Sequence, residues 1–240
     1  MRRVLTKAAV IAALLSAPAA HGEAVLNDWC LNLNGDTTLI CNPFDPASLP
    51  GNIDADGFDF TTNNPPGTAN TLGTLAITLG PGNGQHVLAY FDYDLNFGSS
   101  GSFQDVGEVV GNAPSGLSFA MADPASDLFA DFAANALTND NTVADGSAPP
   151  LPCCDVAFAL GISGIDVPVG SSVLLFFTIA STQPSTGFYL RQTNLLSGES
   201  IYITAVAATV PLPASLVLLA SAFGLPLLRR RTRAGDALRY

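Results

Sequence analysis

Lysine is almost missing from this chain, and the other basic residues are concentrated near its two ends. Lys7 is the only lysine, and of eight arginines only Arg191 lies between residues 21 and 228. Residues 21–228 carry 19 carboxylates, so their formal charge is 1 − 19 = −18. Binding to phosphate backbones depends on lysine and arginine, which excludes nucleic acid as a partner. A Walker-type phosphate loop is excluded too, because it needs a lysine.

Histidine is also scarce, since His21 and His86 are the only two in the chain. A hydrolase triad would have to use His86, yet no Gly-x-Ser-x-Gly turn offers it a nucleophile. We therefore interpret His86 as a surface residue where a strand begins, and we expect no enzymatic activity. No zinc site is expected, because neither cysteine pair lies near a second pair of ligands at finger-like spacing.

The N-terminus combines positive charge with an apolar run, which is the pattern of a secretory signal peptide. Two arginines and Lys7 precede the apolar residues 8–20, which end in small side chains. We assign residues 1–22 to this leader and expect cleavage between Ala19 and Ala24. The rest of the protein is then predicted to lie outside the cytoplasm.

A second apolar run lies near the C-terminus, between a proline-containing motif and a basic cluster. The motif is Val210, Pro211, Leu212, Pro213 and Ala214, and the cluster is Arg229, Arg230 and Arg231. Residues 205–228 offer 24 positions without a charge, and a helix that spans a bilayer needs about 20. We predict a transmembrane helix here, with the arginines on the cytoplasmic side because positive charge sets the orientation.

This order of motif, apolar segment and basic cluster resembles the PEP-CTERM sorting signals of Gram-negative bacteria, in their VPLPA variant. We assign residues 210–233 to this signal; Leu212 stands where the commoner form has Glu. The resemblance implies an exosortase, a membrane-embedded cysteine peptidase or transpeptidase that processes the protein near the motif and removes the tail. It also implies passage through the inner membrane, transient anchoring there, and a final place at the cell surface or outside the cell. The alternative is a single-pass anchor that is never cut.

Residues 25–208 remain as one domain rich in Gly, Pro, Asn, Asp, Ser and Thr, a composition typical of turn-rich β proteins. Apolar side chains alternate in residues 72–79 and 86–97, which indicates strands. The turn residues 81–84 between them predict a hairpin. Further strands are predicted at residues 156–160, 172–180, 187–192 and 200–207. We expect a mainly β fold, an antiparallel and jelly-roll-like β-sandwich.

One helix is predicted in this domain, and it starts at Asp123. Asp123 is placed at the N-cap and Pro124 at the first helical position, where both residue types are favoured. Apolar residues between Leu128 and Leu137 would then form its buried side.

Four cysteines are present, and exported proteins use cysteine for disulfides more often than for metals. The turn signal Asn34-Gly35-Asp36 predicts a hairpin that places Cys30 opposite Cys41. A bond closing this short loop would stabilise the fold by about 2 to 3 kcal/mol. Cys153 and Cys154 are adjacent, and a bond from one of them to the hairpin is an alternative. The sequence leaves all three pairings open.

One stretch has the beginning of a calcium-binding loop. Oxygen ligands stand at the first, third and fifth positions with Gly57 at the sixth, and the candidate ligands are Asn52, Asp54, Asp56 and Asp59. The twelfth position is Asn63 instead of Glu, so an Asx-rich turn is the alternative. Asp92, Asp94 and Asn96, on one face of a strand, are a second candidate. No other cofactor is expected.

The functional expectation is a structural or adhesive component of the cell surface or of its exopolysaccharide, biofilm-associated matrix. The alternatives are a carbohydrate-binding module and a surface glycan hydrolase. In either case exposed aromatic rings would stack on sugars, and the candidates are Trp29, Tyr90, Tyr189 and Tyr202. The expected partners are the exosortase, the inner membrane before processing, and exopolysaccharide.

Overall fold

The computed structural model describes residues 24–34, 39–41, 49–55, 72–95, 104–143 and 155–210 of the protein. These residues form twelve strands and one short helix. The strands are β1 (Ala24–Leu33), β2 (Ile40–Cys41), β3 (Ile53–Asp54), β4 (Gly73–Leu79), β5 (Gly82–Leu95), β6 (Asp105–Val110), β7 (Leu117–Ala122), β8 (Asp140–Asn141), β9 (Ala157–Val167), β10 (Ser172–Ala180), β11 (Tyr189–Asn194) and β12 (Ser200–Val210). The helix α1 (Leu128–Ala133) lies between β7 and β8 in the chain. The prediction of a mainly β domain is confirmed.

The strands form two six-stranded sheets. The first has the order β2-β1-β5-β9-β7-β8 and the second the order β3-β4-β10-β12-β11-β6. Every described pair is antiparallel except β7 with β8. The inner faces of both sheets contribute to one apolar core, which makes the fold a sandwich of two antiparallel-rich sheets.

The alternation read from the sequence correctly predicts which side chains enter this core. The predicted inward residues that the structure describes are all buried: Leu75, Ile77 and Leu79 in β4, and Val87, Ala89, Phe91, Tyr93 and Leu95 in β5. Phe97, the last residue of the predicted set, lies outside the described residues. Rings stack at the centre, where Phe158 of β9 lies 6.0 Å from Tyr93, centroid to centroid. The core is therefore a direct consequence of the period-two pattern.

The predicted hairpin between β4 and β5 is wrong, because the two strands lie in different sheets. β4 pairs with β3 and β10, whereas β5 pairs with β1 and β9. The residues expected to form the turn begin β5, which starts at Gly82, so only Gly80 and Pro81 cross between the sheets. Alternation decides which face of a strand is buried but not which strand lies beside it.

The helix is shorter than predicted and starts later. Asp123 does not cap it; the Asp123 Oδ1 accepts a hydrogen bond from the Ala125 N–H at 2.8 Å. The Asp123 carbonyl accepts another from the Ser126 N–H at 2.9 Å, which closes a turn. α1 then begins at Leu128, with Asp127 at the N-cap position and no side-chain cap. A local Asp-Pro turn has replaced the expected helical start.

α1 covers the outer face of the first sheet, where it builds a second, smaller apolar cluster. Leu128 and Phe132 of the helix pack there with Leu88 and Tyr90 of β5. Asn32 of β1 fixes the end of the helix, since its Nδ2 donates to the carbonyls of Phe132 at 3.2 Å and Ala133 at 3.0 Å. The Phe132 carbonyl also accepts a hydrogen bond from the Asn135 N–H at 3.2 Å, just after the helix. Asn32 therefore ties the C-terminal end of α1 to the sheet.

The later strands agree with prediction in place but not always in length. β10 has the predicted bounds, β9 continues to Val167, and β11 spans Tyr189–Asn194. β6 and β7 were not predicted. β12 runs to Val210, so residues 205–210 belong to a strand and not to the predicted membrane span. The span is thereby reduced to residues 211–228, or 18 positions, all of which lie outside the described residues. The described part of the chain has no helix with the length and apolarity that crossing a bilayer requires.

Candidate functional site

The proline-containing motif starts inside the folded domain. Val210, its first residue, is the last residue of β12 and lies opposite Ser172 of β10. β12 ends where the sequence reaches Pro211, because proline has no N–H to donate to a ladder. Outside the described residues lie Pro211, Leu212, Pro213, Ala214, Arg229, Arg230 and Arg231. The motif therefore begins with the last residue of β12, and no linker separates them.

The end of β12 is exposed and uncharged. β11 pairs with β12 only as far as Ile203, whereas β10 continues to Val210. Residues 206–210 are exposed on both faces of the strand, with 55% of Val206 and 37% of Val210 accessible. Among the described residues, β10 is the only strand paired with this segment. Partner proteins bind such extended segments by strand addition.

Carboxylates gather on the outer face of the first sheet. Asp92 and Asp94 of β5 lie on this face, and Asp28 of β1 is directly opposite Asp92. Asp92 and Asp94 are buried, and the Oδ1 atom of each has no hydrogen-bond partner in the described part of the chain. Two carboxyl groups are thus held out of water beside further negative charge.

Two carboxyl groups of this region, those of Asp92 and Asp155, have raised pKa values. Burial, together with the charges of Asp155, Asp94 and Asp28, raises the pKa of Asp92 to about 8. Burial also raises the pKa of Asp155 to about 7, together with the charge of Asp94 and against a hydrogen bond from the Val156 N–H. Removing a carboxylate from water favours its neutral form, so this cluster is partly protonated at neutral pH.

The second calcium candidate falls in this cluster, but only in part. Asp92 and Asp94 are described, whereas Asn96 lies outside the described residues. No group of three or more His, Cys, Asp or Glu in the described ranges is arranged to hold a metal ion. Calcium binding at these residues stays a prediction.

A buried polar network joins the two sheets near the same end. Asp105 of β6 accepts hydrogen bonds from Gln192 Nε2 at 2.6 Å and Asn194 Nδ2 at 2.7 Å. Gln192 also donates to the carbonyl of Tyr93, at 2.7 Å, which lies in the opposite sheet. Burial raises the pKa of Asp105, and the hydrogen bonds from both amides lower it. Because these groups are buried and bonded to one another, the network fixes β5 against β6 and β11.

The first calcium candidate begins as a strand. Asn52 precedes β3, and Asp54 within β3 lies opposite Ala76 of β4. The Asn52 Nδ2 donates to the Thr78 carbonyl at 3.2 Å, so this amide is used to hold the sheet edge. Asp56 and Asp59 lie outside the described residues. The structure does not bring the four predicted ligands together within its described part, and calcium binding here stays a prediction.

The hairpin disulfide is confirmed. Cys30 and Cys41 lie opposite each other in the β1–β2 pair and are bonded. A bond from Cys153 or Cys154 to either of them is therefore excluded, since both hairpin sulfurs are already used. Cys153 and Cys154 themselves lie outside the described residues.

His86 differs from its prediction as a surface residue at the start of a strand. It is the fifth residue of β5, an interior strand of its sheet, and is half-buried. Burial lowers its pKa, and its Nε2 has no hydrogen-bond partner among the described residues. Its backbone N–H donates to Asn34 Oδ1 at 3.0 Å. The described contacts place no hydroxyl or thiol nucleophile on this imidazole.

The aromatic residues suggested as sugar platforms are mostly buried, which corrects that prediction. Trp29 is 1% exposed, and Tyr90 and Tyr189 are each 4% exposed. Tyr90 packs edge to face on Phe129 of α1, at 5.4 Å between centroids. Only Tyr202 keeps a partly exposed ring. One ring provides less than the row of platforms that glycan stacking would use.

No family model matches this chain, and no curated protein or solved structure matches it either.

Sequence reasoning missed the network of Asp105, Gln192 and Asn194. Its signal was available: Gln192 and Asn194 share the inward face of β11 with Leu190, a position where polar side chains are rare unless bonded. The buried state of Asp92 and Asp94 was missed as well. The burial of these two side chains depends on the strands and loops packed around β5, and the alternation within β5 does not predict those neighbours.

Proposed function

We propose that this protein is exported through the inner membrane and held there transiently by its C-terminal segment. An exosortase-type peptidase then processes it at residues 210–214, and the product is a structural component of the cell surface or its exopolysaccharide matrix. The signal peptide, the membrane helix and the jelly-roll-like connectivity expected from the sequence belong to this proposal.

The observation that carries the proposal is the position of the motif relative to the last strand. β12 ends at Val210, so a cut within or just after the motif would leave all twelve described strands with the mature product. A sorting signal must be removable without unfolding its cargo. The boundary between strand and motif meets this condition.

The disulfide supports the proposed compartment. Cys30 and Cys41 are bonded, and stable disulfides are typical of periplasmic, secreted and surface proteins and rare in the cytosol. The strong negative charge of residues 21–228 also suits a protein that must stay soluble outside the cell.

The test is mass spectrometry of the protein recovered from its native host. We expect a new C-terminus within or next to residues 210–214 and no Arg229–Arg231 cluster in surface material. Changing Pro211 and Pro213 together to Ala should abolish processing, because the extended conformation imposed by proline is lost. Pro226→Ala is the matched control, since it changes a proline outside the motif. If protein recovered from the cell surface keeps the arginine-rich tail, processing by an exosortase is refuted, and the C-terminal segment is a permanent membrane anchor.

A further inference from the structure

The end of the sandwich at which β12 leaves the domain has a composition of its own. This exit end consists of residues 80–84 and 166–171, which lie at or beside connections between strands, together with Val210. Strand register brings them to one end, because Ser172 lies opposite Val210, Val173 opposite Leu79, and Gly82 opposite Val167.

Charge is distributed unequally between the two ends. Among the described residues of the exit end the only charged side chain is Asp166, which accepts a hydrogen bond from the Gly84 N–H at 2.8 Å. The opposite end, which holds the start of β12 and the end of β5, carries six of the thirteen described carboxylates: Asp92, Asp94, Asp105, Asp123, Asp155 and Glu199. The sandwich is therefore polarised along its strands.

Apolar side chains replace charge at the exit end. Val169, in the turn between β9 and β10, is 93% exposed, and Val210 is 37% exposed. The strands that lead to this end, β4, β10 and β12, contain no charged residue. The opposite end also exposes aliphatic side chains, Leu195 at 56% and Leu196 at 58%, so it is charge, and not apolar exposure, that distinguishes the two ends.

The chain beyond Val210 limits what this partner can be. Five residues, 211–215, separate Val210 from the apolar run 216–228, and five extended residues reach at most about 18 Å. If the run lies in a bilayer, the exit end is held at the lipid surface. Anionic headgroups repel carboxylates over a distance of about 8 to 10 Å at physiological salt. The exit end, which the tail would hold close to the lipid, is the end with few carboxylates.

We propose that the exit end is a membrane-facing surface: before processing, the domain stands on the lipid bilayer with Val169 and Val210 against the headgroups and its carboxylate-rich end directed away. The proposal rests on the membrane anchoring in the proposed function. It adds that the fold itself, and not only the tail, sets the distance and orientation of the motif relative to a membrane enzyme.

Tryptophan reporters in the full chain test this orientation. Trp29 is buried in the core and gives a constant background, so Val169→Trp reports on the exit end and Leu196→Trp on the opposite end. Both positions are exposed turn residues, with Leu196 58% accessible. Each variant is reconstituted in vesicles of phosphatidylethanolamine and phosphatidylglycerol that contain a phospholipid with brominated acyl chains, and vesicle flotation confirms association.

We expect the Val169→Trp signal to be quenched severalfold more by the brominated lipid than the Leu196→Trp signal, and to be shielded from aqueous iodide. Equal quenching at the two positions, stronger quenching at Leu196→Trp, or failure of the chain to float with vesicles would overturn the proposal. The readout does not involve processing. An intact tail in host material would refute the proposed sortase while leaving this orientation to be decided by the quenching.

A charge-insertion pair extends the test to the host. Val169→Asp places a carboxylate at the proposed lipid surface, and Leu196→Asp places the same group at the opposite end. We expect only Val169→Asp to slow removal of the tail, with both variants equally stable to urea. Where the wild-type tail is removed, equal processing of the two variants would contradict a membrane-facing role for the exit end.

Discussion

At the scale of single residues, the carboxyl groups on the outer face of β5 determine how stability depends on pH. The pKa of Asp92 is raised to about 8 and that of Asp155 to about 7, whereas an unfolded aspartate has a pKa of about 3.9. Between these values the folded state binds more protons than the unfolded state. The free energy of unfolding must then fall as pH rises from about 4 to 8, and this contribution is fully present only below that window.

Asp92→Asn tests this at one position. The amide keeps the shape of the carboxyl group but cannot lose a proton, so we expect a shallower fall of the unfolding free energy between pH 5 and pH 8. A difference of one bound proton corresponds to about 1.4 kcal/mol per pH unit, which is the upper limit for the change in slope. Urea denaturation across this range measures it.

Because other titrating groups are the same in the variant and the wild type, their contributions to the pH dependence cancel in the comparison. His86, whose pKa is lowered by burial, acts in the opposite direction near pH 6 but is common to both proteins. Asp127→Asn, at an exposed carboxylate, is the control for the loss of one negative charge. An Asp92→Asn slope as steep as that of wild type would show that Asp92 is ionised in the folded protein at neutral pH.

At the scale of structural elements, the network around Asp105 holds the end of β5 to the second sheet. Asp105→Ala removes the acceptor for Gln192 Nε2 and Asn194 Nδ2. Each amide nitrogen keeps its bond to a backbone carbonyl, so one buried N–H on each is left without a partner. Each such donor costs about 1 to 3 kcal/mol, so we expect a loss of about 2 to 4 kcal/mol in urea denaturation at pH 7.

Glu108 of the same strand provides the control for this substitution. It forms an exposed ion pair with Arg191, and such pairs contribute about 0 to 1 kcal/mol. Glu108→Ala should therefore change stability much less than Asp105→Ala. If the two variants lost equal stability, the network would be a minor contact and the two sheets would be held by apolar packing alone.

At the scale of the whole molecule, β12 connects the domain to everything that follows it. Its last five residues pair with the beginning of β10, from Val206 opposite Phe176 to Val210 opposite Ser172. A chain that ends at Val210 should fold to a β-rich domain, as judged by circular dichroism. A chain that ends at Ala205 should be less stable by a few kcal/mol, since each ladder hydrogen bond contributes about 1 kcal/mol.

Urea denaturation of the two chains decides where the domain ends. Equal stability would mean that residues 206–210 are a passive extension, and that a peptidase could cut upstream of Val210 without cost to the fold. A stability loss confined to the shorter chain places the boundary at the motif. A spectrum dominated by helix in the chain that ends at Val210 would contradict the fold itself.

The sequence by itself determined the β class and the inward faces of β4 and β5, and it placed Cys30 opposite Cys41 while leaving the pairing of the four cysteines open. These are local properties: alternation with a period of two assigns a face, and a short turn fixes the register of its own hairpin.

Only the tertiary structure decided that β4 and β5 belong to different sheets, that Trp29 and Tyr90 are buried, and that Asp92 and Asp94 lie out of water. Each of these depends on which strand lies beside or above another. That choice is made by the packing of all twelve strands together, because an apolar face can be buried equally well against many partners.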